Sequence, residues 1–313
     1  MTVNKPYKLT IIIAAYNVED FIKPCIMSFI KQSRAWSQLI IVNDGSTDNT
    51  LNIISNIITN QKNIFLVQKE NGGLSSARNA GIDFSINNTD FISFLDGDDL
   101  LSPDYLESFL AYYDKNTDII EFNIQRFSCD RKKISLIRIC NSFENNEMNY
   151  KTFEIVLKKY NWHACGRFFN SNLLSMNRFT INRRYEDFIL VPHLYLLAKK
   201  IKAIPSPLYL YRTNPNSITK NAKPSDIDDI IYGFNKLKEK LNTSQVYILK
   251  KRTSTHITKV IINIPQSNRD VAFIKKANFL KKSKLRIKLH FYSYLFLFNT
   301  KQIFKKIHSL RLR

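Results

Sequence analysis

The sequence predicts an α/β fold: a mainly parallel sheet with helices on both faces. Two observations carry that expectation. Runs rich in Ile, Val, Leu and Phe alternate with helical segments as far as Ile124. The first of these runs also lacks the two-residue period of a half-exposed strand, which suits burial on both faces.

The elements follow in order. "LTIIIAAYN" is the first strand, and a helix runs from Val18 to Gln32. "QLIIVND" is the second strand; "GSTDNTLNIISNIITN" opens on Ser and Thr capping candidates and continues as a helix. "NIFLVQK" is the third strand, and "NGGLSSARNAGIDFS" is a glycine turn leading into a helix. "DFISFLD" is the fourth strand. In "SPDYLESFLAYYDK" Ser102 is placed to cap a helix that has Pro103 at its first position. "DIIEFNI" is the fifth strand. From Asn123 the pattern loosens. "NWHACGRFFNSNLL" and "RRYEDFILVPHLYLLAKKI" read as helices, "IPSPLYLYRTNPNSIT" as a short strand with a polar loop, and helices run to the end.

Length and composition set limits. The chain has 313 residues and is 44% hydrophobic, enough for one large domain and a smaller unit and too apolar for a disordered chain. Its net charge is +21, and the segment from Val271 to Arg313 has twelve Lys and Arg with no Asp or Glu. So polarised a basic end implies an anionic partner. The apolar "LTIIIAA" after Lys5 and Lys8 is short and runs straight into "YNVED", which favours a strand over a leader peptide. "FYSYLFLF" is only eight residues, well under the ~20 of a membrane-spanning helix. Cys25, Cys129, Cys140 and Cys165 have no zinc-type spacing and read as reduced thiols of a cytosolic protein.

In a sheet of this kind ligands bind beyond the carboxyl ends of the strands. Three polar clusters fall there: Tyr16-Asn17, Asn43-Asp44-Gly45-Ser46 and Asp96-Gly97-Asp98-Asp99. The last places three carboxylates within four positions, a repulsion that a hard cation such as Mg²⁺ or Mn²⁺ would relieve. Asp and Gly also make ordinary solvated turns, and Asp99 is equally suited to a turn or a cap. Asp48 suits the start of the following helix, where the dipole favours a carboxylate.

"TIIIAAYNVEDFIKPCIMSFIKQS", "LIIVNDGSTDNT", "KENGGLSSARNAGI" and "FISFLDGDDLLSPDYL" occur in order, and together they resemble family 2 glycosyltransferases of the GT-A fold, especially bacterial enzymes that build lipopolysaccharide, O-antigen or capsule. The resemblance is strong over residues 8–122 and weaker to about 220. It implies a Rossmann-like GT-A domain over 1–220, with a nucleotide-sugar half to about 122 and an acceptor half after it, then a basic helical extension over 221–313. By position, Asp44 would contact the donor base, and the backbone near Ala15 and Tyr16 would line the uracil pocket. Asp96 and Asp98 would form the DxD pair, with Asp98 on the metal and Asp96 facing ribose or a metal-bound water. Arg78 would be the donor-site basic residue. Where many relatives have Asp-Asp, this chain has Asn43-Asp44.

Further on, "RRYEDF" resembles the family's base motif. It implies Asp187 as the base that takes a proton from the acceptor hydroxyl, with Glu186 supporting. Ion pairing with Arg183 or Arg184, or helix capping, would use the same carboxylates. Arg212, in "YRTNPNSIT", is placed to approach the leaving diphosphate. His163 and His193 are lone histidines and stay outside the catalytic set. The activity implied is an inverting, Mn²⁺- or Mg²⁺-dependent transfer from a nucleotide sugar, most simply UDP-linked, to a glycan or lipid-linked saccharide. The basic aromatic tail would lie on an anionic membrane surface, which makes the expected location cytoplasmic and peripheral on the inner face of the cell membrane. A nucleic-acid-binding protein is the alternative for the basic tail, but no recognised module is present. No GxGxxG follows the first strand, which argues against a dehydrogenase.

Overall fold

The computed structural model describes residues 6–128, 132–140, 147–213 and 221–281. The first half alternates as expected: β1 (Tyr7–Ala15), α1 (Ile22–Ile30), β2 (Ser37–Asp44), α2 (Thr50–Ile58), β3 (Ile64–Lys69), α3 (Gly73–Ser85), β4 (Thr89–Asp96), β5 (Leu100–Leu101) and α4 (Tyr105–Tyr112). The second half comprises β6 (Ile119–Phe127), β7 (Lys133–Ile137), α5 (Tyr150–Lys159), β8 (Arg167–Asn170), α6 (Ser171–Ser175), α7 (Glu186–Leu197) and β9 (Ile201–Arg212). Three longer helices follow: α8 (Pro224–Lys238), α9 (Thr243–Ile262) and α10 (Arg269–Lys281).

Among the described residues one sheet runs β3-β2-β1-β4-β8-β6-β9-β5, with β7 paired to β6. The strands β3, β2, β1 and β4 are parallel. Next to them β8 is antiparallel to both β4 and β6, while β9 runs parallel to β6. Strand alternation divides the apolar residues into two cores. Leu9, Ile11, Ile13, Leu39, Ile41, Phe91 and Leu95 pack under α1, α2 and α4. Ile12, Ile40, Val42, Ile92 and Phe94 pack on the opposite face with α3, α5 and α7, and the same core continues into α8, α9 and α10. The tightest approach is α3 on β1: a Cβ on Gly81 would stand 2.4 Å from the Ile12 Cγ2.

Several local expectations fail, each for a physical reason. Residues 161–174 are not one helix but a 3₁₀ turn (Ala164–Gly166), strand β8 and the short α6. All four residues of β8 are buried, and its pairing to β4 and β6 outweighs the helical pattern. Ser102 does not cap α4; its hydroxyl donates to Asp104 Oδ1 at 2.6 Å, and the helix begins three residues later at Tyr105. The Ser46 and Thr47 hydroxyls do not cap α2 but meet Asn17, at 3.2 Å from its N–H and 3.3 Å from its Nδ2. Asp48 does support that helix start, accepting from the Thr50 N–H at 3.0 Å. Strand β9 is twelve residues long, because Ile201 to Arg212 pairs along the whole of β6. The basic tail beyond Lys281 and residues 214–220, expected as a polar loop, lie outside the described residues.

Candidate active site

Strand register assembles the first half of the site. Ala14 pairs with Asp96 and Ala15 with Asn43, so the carboxyl ends of β2, β1 and β4 lie side by side. Val42 and Phe94 belong to the core beneath α3. Asp44 and Asp96, two residues further along, therefore keep that face; Asp96 stands level with Val42 through Ala14, so the two are two strand spacings and two residues apart, about 12 Å. The three clusters do converge on one edge.

Asp44 is buried and held by its neighbours. It accepts from Lys69 Nζ at 2.5 Å and from the backbone N–H groups of Gly72 and Gly73 at 3.1 and 2.8 Å. It thus sits on the N-terminus of α3, where the dipole favours a carboxylate. The preceding loop turns through Gly45 at φ +71°, a conformation open chiefly to glycine. Ala15 has its side chain in the core, so only its backbone faces the edge, whereas Tyr16 is exposed.

Arg78 joins the two halves. It lies on α3, 3% exposed, with Nη2 2.9 Å from Asp96 Oδ1. Its Nη1 is 2.9 Å from both Glu186 Oε1 and Asp187 Oδ1, carboxylates more than a hundred residues away at the start of α7. The guanidinium lies near the rings of Phe94 and Phe179, 5.7 and 5.2 Å from their centroids. The second Asp187 oxygen accepts from the Ala164 N–H at 3.0 Å. Burial, reinforced by the charge of Asp187 and opposed by Arg78, pushes the Glu186 carboxyl up to about 7.

The remaining acidic residues and Arg212 are linked through β9. Asp99 is 1% exposed and accepts from Tyr209 Oη and from the Arg212 N–H, both at 2.6 Å. Tyr209 Oη in turn accepts from the Asp96 N–H at 3.1 Å. Arg212 Nε donates to the Asp98 carbonyl at 2.7 Å. Burial first, then the charges of Asp98 and Asp96, hold the Asp99 carboxyl well above the usual carboxylate range. That local negative potential is the electrostatic setting a divalent cation would neutralise. Asp96 and Asp98 are partly exposed and offer hard oxygen donors, so the donor set fits Mg²⁺ or Mn²⁺. Among the described residues no group of three or more His, Cys, Asp or Glu forms a ready-made cage.

Of the expected residues, Arg78, Asp96, Glu186 and Asp187 meet directly. Asp44, Asp98 and Arg212 share the same sheet edge with them. Three participants were not anticipated: Lys69, Tyr209 and the Ala164 N–H. Lys69 follows the third strand immediately before "ENGG" and was within reach of the pattern; Tyr209 and Ala164 carry no local signal. His163 is half-buried beside this site, its imidazole pushed down by burial and pulled up by Asp187. His193 instead lies by Lys240, 3.2 Å from its Nζ.

A curled mixed sheet with helices on both faces is the architecture of the GT-A fold. Residues 10–176 match the model of "Glycosyl transferase family 2", and the chain belongs to that family. It is 30% identical over 229 residues to glycosyltransferase GlyA of Streptococcus pneumoniae, covering 68% of this chain and 32% of GlyA. It is 32% identical over 222 residues to the uncharacterized glycosyltransferase EpsJ of Bacillus subtilis, covering 68% of this chain and 63% of EpsJ. The chain thus spans about a third of GlyA and just under two thirds of EpsJ. Residues 1–349 of Staphylococcus aureus TarS in complex with UDP-GlcNAc share the fold, with TM-score 0.70 and 18% identity over 88% of this chain and 81% of that one. A mannosyltransferase from Pyrobaculum calidifontis in complex with GDP-Man and Mn²⁺ is more distant, with TM-score 0.55, 15% identity and coverage of 98% and 86%.

Proposed function

We propose that the chain transfers a sugar from a UDP-linked donor to a hydroxyl of a glycan or lipid-linked saccharide, with inversion at the anomeric carbon. The observation that carries this reading is Arg78, which draws Asp96 of the donor half and Glu186 and Asp187 of the acceptor half to one guanidinium. Asp44 and the backbone at Ala15 and Tyr16 receive the base, and Asp96 faces the ribose. Asp98, with Asp96, would hold Mg²⁺ or Mn²⁺, which supplies Lewis-acid neutralisation of charge on the departing diphosphate. Arg212, anchored on the Asp98 carbonyl, adds positive charge on the same side.

Asp187 takes the proton of the acceptor hydroxyl as its oxygen attacks the anomeric carbon. The bond from that carbon to the diphosphate oxygen breaks, UDP departs, and attack from the opposite face inverts the centre. No sugar–enzyme bond forms. Arg78 and the Ala164 N–H each hold one oxygen of the base in place. The UDP-GlcNAc and UDP complexes of TarS support the choice of nucleotide.

The test is UDP binding and UDP release from a panel of nucleotide sugars with Mn²⁺ or Mg²⁺. Asp98→Ala should abolish metal-dependent donor binding. Asp187→Asn should bind UDP as the wild type does and lose transfer; normal transfer by that variant would overturn the base assignment. The membrane part of the reading rests on the basic segment from 271 to 313. No helix among the described residues is long and apolar enough to cross a membrane. The full chain should sediment with anionic phosphatidylglycerol vesicles and not with neutral ones, and salt should release it. Equal sedimentation with both would remove the membrane surface from the proposal.

A further inference from the structure

The stretch that delivers Glu186 and Asp187 is fastened from behind by the C-terminal helices. Arg183 lies with Nη1 2.7 Å from Asp229 Oδ1 and its guanidinium 3.8 Å over the ring of Tyr232, one turn further along α8. The backbone N–H of Arg184 donates to the other Asp229 oxygen at 3.0 Å, and its guanidinium pairs at 2.9 Å with the buried Asp226. Tyr185 comes next, in the left-handed region at φ +59°. Non-glycine residues keep such a conformation only where their surroundings impose it.

The surroundings here come from α9. The Tyr185 ring meets His256 edge-on, with centroids 5.2 Å apart. His256 also packs against Tyr160 and Phe188, at 5.6 and 6.4 Å. Burial pushes its imidazole down to about 4, so it packs as a neutral ring. Five consecutive residues are therefore pinned from two sides: 183 to 185 by α8 and α9, 186 and 187 by Arg78 on α3. Both anchoring helices lie beyond the 10–176 span that defines the family match.

We infer that Asp229 is a positioning residue for the transfer reaction, holding the 183–185 segment so that Asp187 is presented at the sheet edge, with His256 supporting the turn at Tyr185. The inference rests on the reading of Asp187 as the base. Asp229 accepts from both a side chain and a backbone N–H of the same segment, so it fixes where that backbone runs as well as neutralising a charge. Contacts that only held α8 to the core would affect stability and leave the rate per folded molecule unchanged. A positioning contact changes turnover without changing nucleotide affinity, because displacing a base by about 1 Å costs up to about a hundredfold in rate.

The experiment compares Asp229→Ala, Asp229→Asn and Asp187→Asn in the full chain. UDP release is measured from whichever UDP-sugar the wild type turns over in the panel, together with the Kd for UDP and hydrogen exchange of residues 183–189. Asp229→Ala should lower kcat by about tenfold or more and speed exchange in that peptide, with the Kd for UDP within about twofold of wild type. Asp229→Asn keeps an acceptor for the Arg184 N–H and should recover part of the rate; if the alanine variant does not fold, this one carries the comparison. Wild-type kcat with unchanged exchange at 183–189 overturns the inference, and so does an equal loss of kcat and UDP affinity. Asp187→Asn separates the two readings. If it is inactive while the Asp229 variants turn over normally, the positioning role fails and the base stands. If it turns over normally, the base assignment fails.

Discussion

The Asp44 end of the site and the Asp187 end hold their carboxylates by different means. Asp44 is held by residues of one short stretch, Lys69 to Gly73, and two of its donors are backbone N–H groups that no side-chain change removes. Asp187 and Glu186 depend on a single guanidinium from α3, on the Ala164 N–H, and on a preceding segment tied to α8 and α9. The Asp44 end is thus locally redundant. The Asp187 end is assembled from distant parts and is the more exposed to the loss of single side chains.

The contrast predicts a graded set of outcomes. Arg78→Met leaves Asp96, Glu186 and Asp187 crowded with their shared counter-charge gone, and removing one partner of a buried ionic cluster costs about 3–5 kcal/mol. Urea unfolding should show a loss of that order, with turnover gone; a loss below about 1 kcal/mol would mean that the Asp187 end has further support. Glu186 comes next. Its carboxyl is raised from 4.5 to about 7, so between those values the folded chain holds a proton that the unfolded chain has released. That group's contribution to stability therefore falls as pH rises through this window, by roughly 1–3 kcal/mol. Glu186→Gln should flatten that part of the stability–pH curve, and an unchanged slope would place its origin elsewhere.

Gly81→Ala tests the seat of Arg78 itself. The added methyl would press on Ile12, and overpacking of this kind costs about 1–3 kcal/mol, measured as a lower urea midpoint. The smallest effect is expected at the other end. Lys69→Met removes a partly exposed ion pair, leaves the Gly72 and Gly73 donors on Asp44, and should cost about 1 kcal/mol or less. A cost as large as that of Arg78→Met would erase the contrast.

The same difference governs what could be read from the chain. Strands β1 to β4 and their helices carry local signals, and the edge where Asp44 and Asp96 meet follows from strand order and alternation. Residues 161–174 show the limit. A four-residue buried strand has too little length to display a period, and β8 is specified by partners in β4 and β6. Ser102 followed by Pro103 has the look of a helix start, yet the Ser102 hydroxyl donates to Asp104 and the helix begins only at Tyr105. "RRYED" is visible as a motif, but its ties to Asp229, His256 and Arg78 join residues dozens to more than a hundred positions apart. Tyr209 falls in the same class, since its phenol joins the ends of β4 and β9 through Asp99.

The reversed direction of β8 has a consequence for geometry. Each parallel strand reaches the edge that carries Asp44 and Asp96 with its last residues, whereas β8 starts there, Arg167 standing level with Glu121 and Asn170 with Phe91 nearer the opposite margin. The residues just ahead of it, His163 and Ala164, are thereby carried to the margin where Asp187 waits. Had the strand run the other way, the amide that holds Asp187 would emerge on the far side of the molecule.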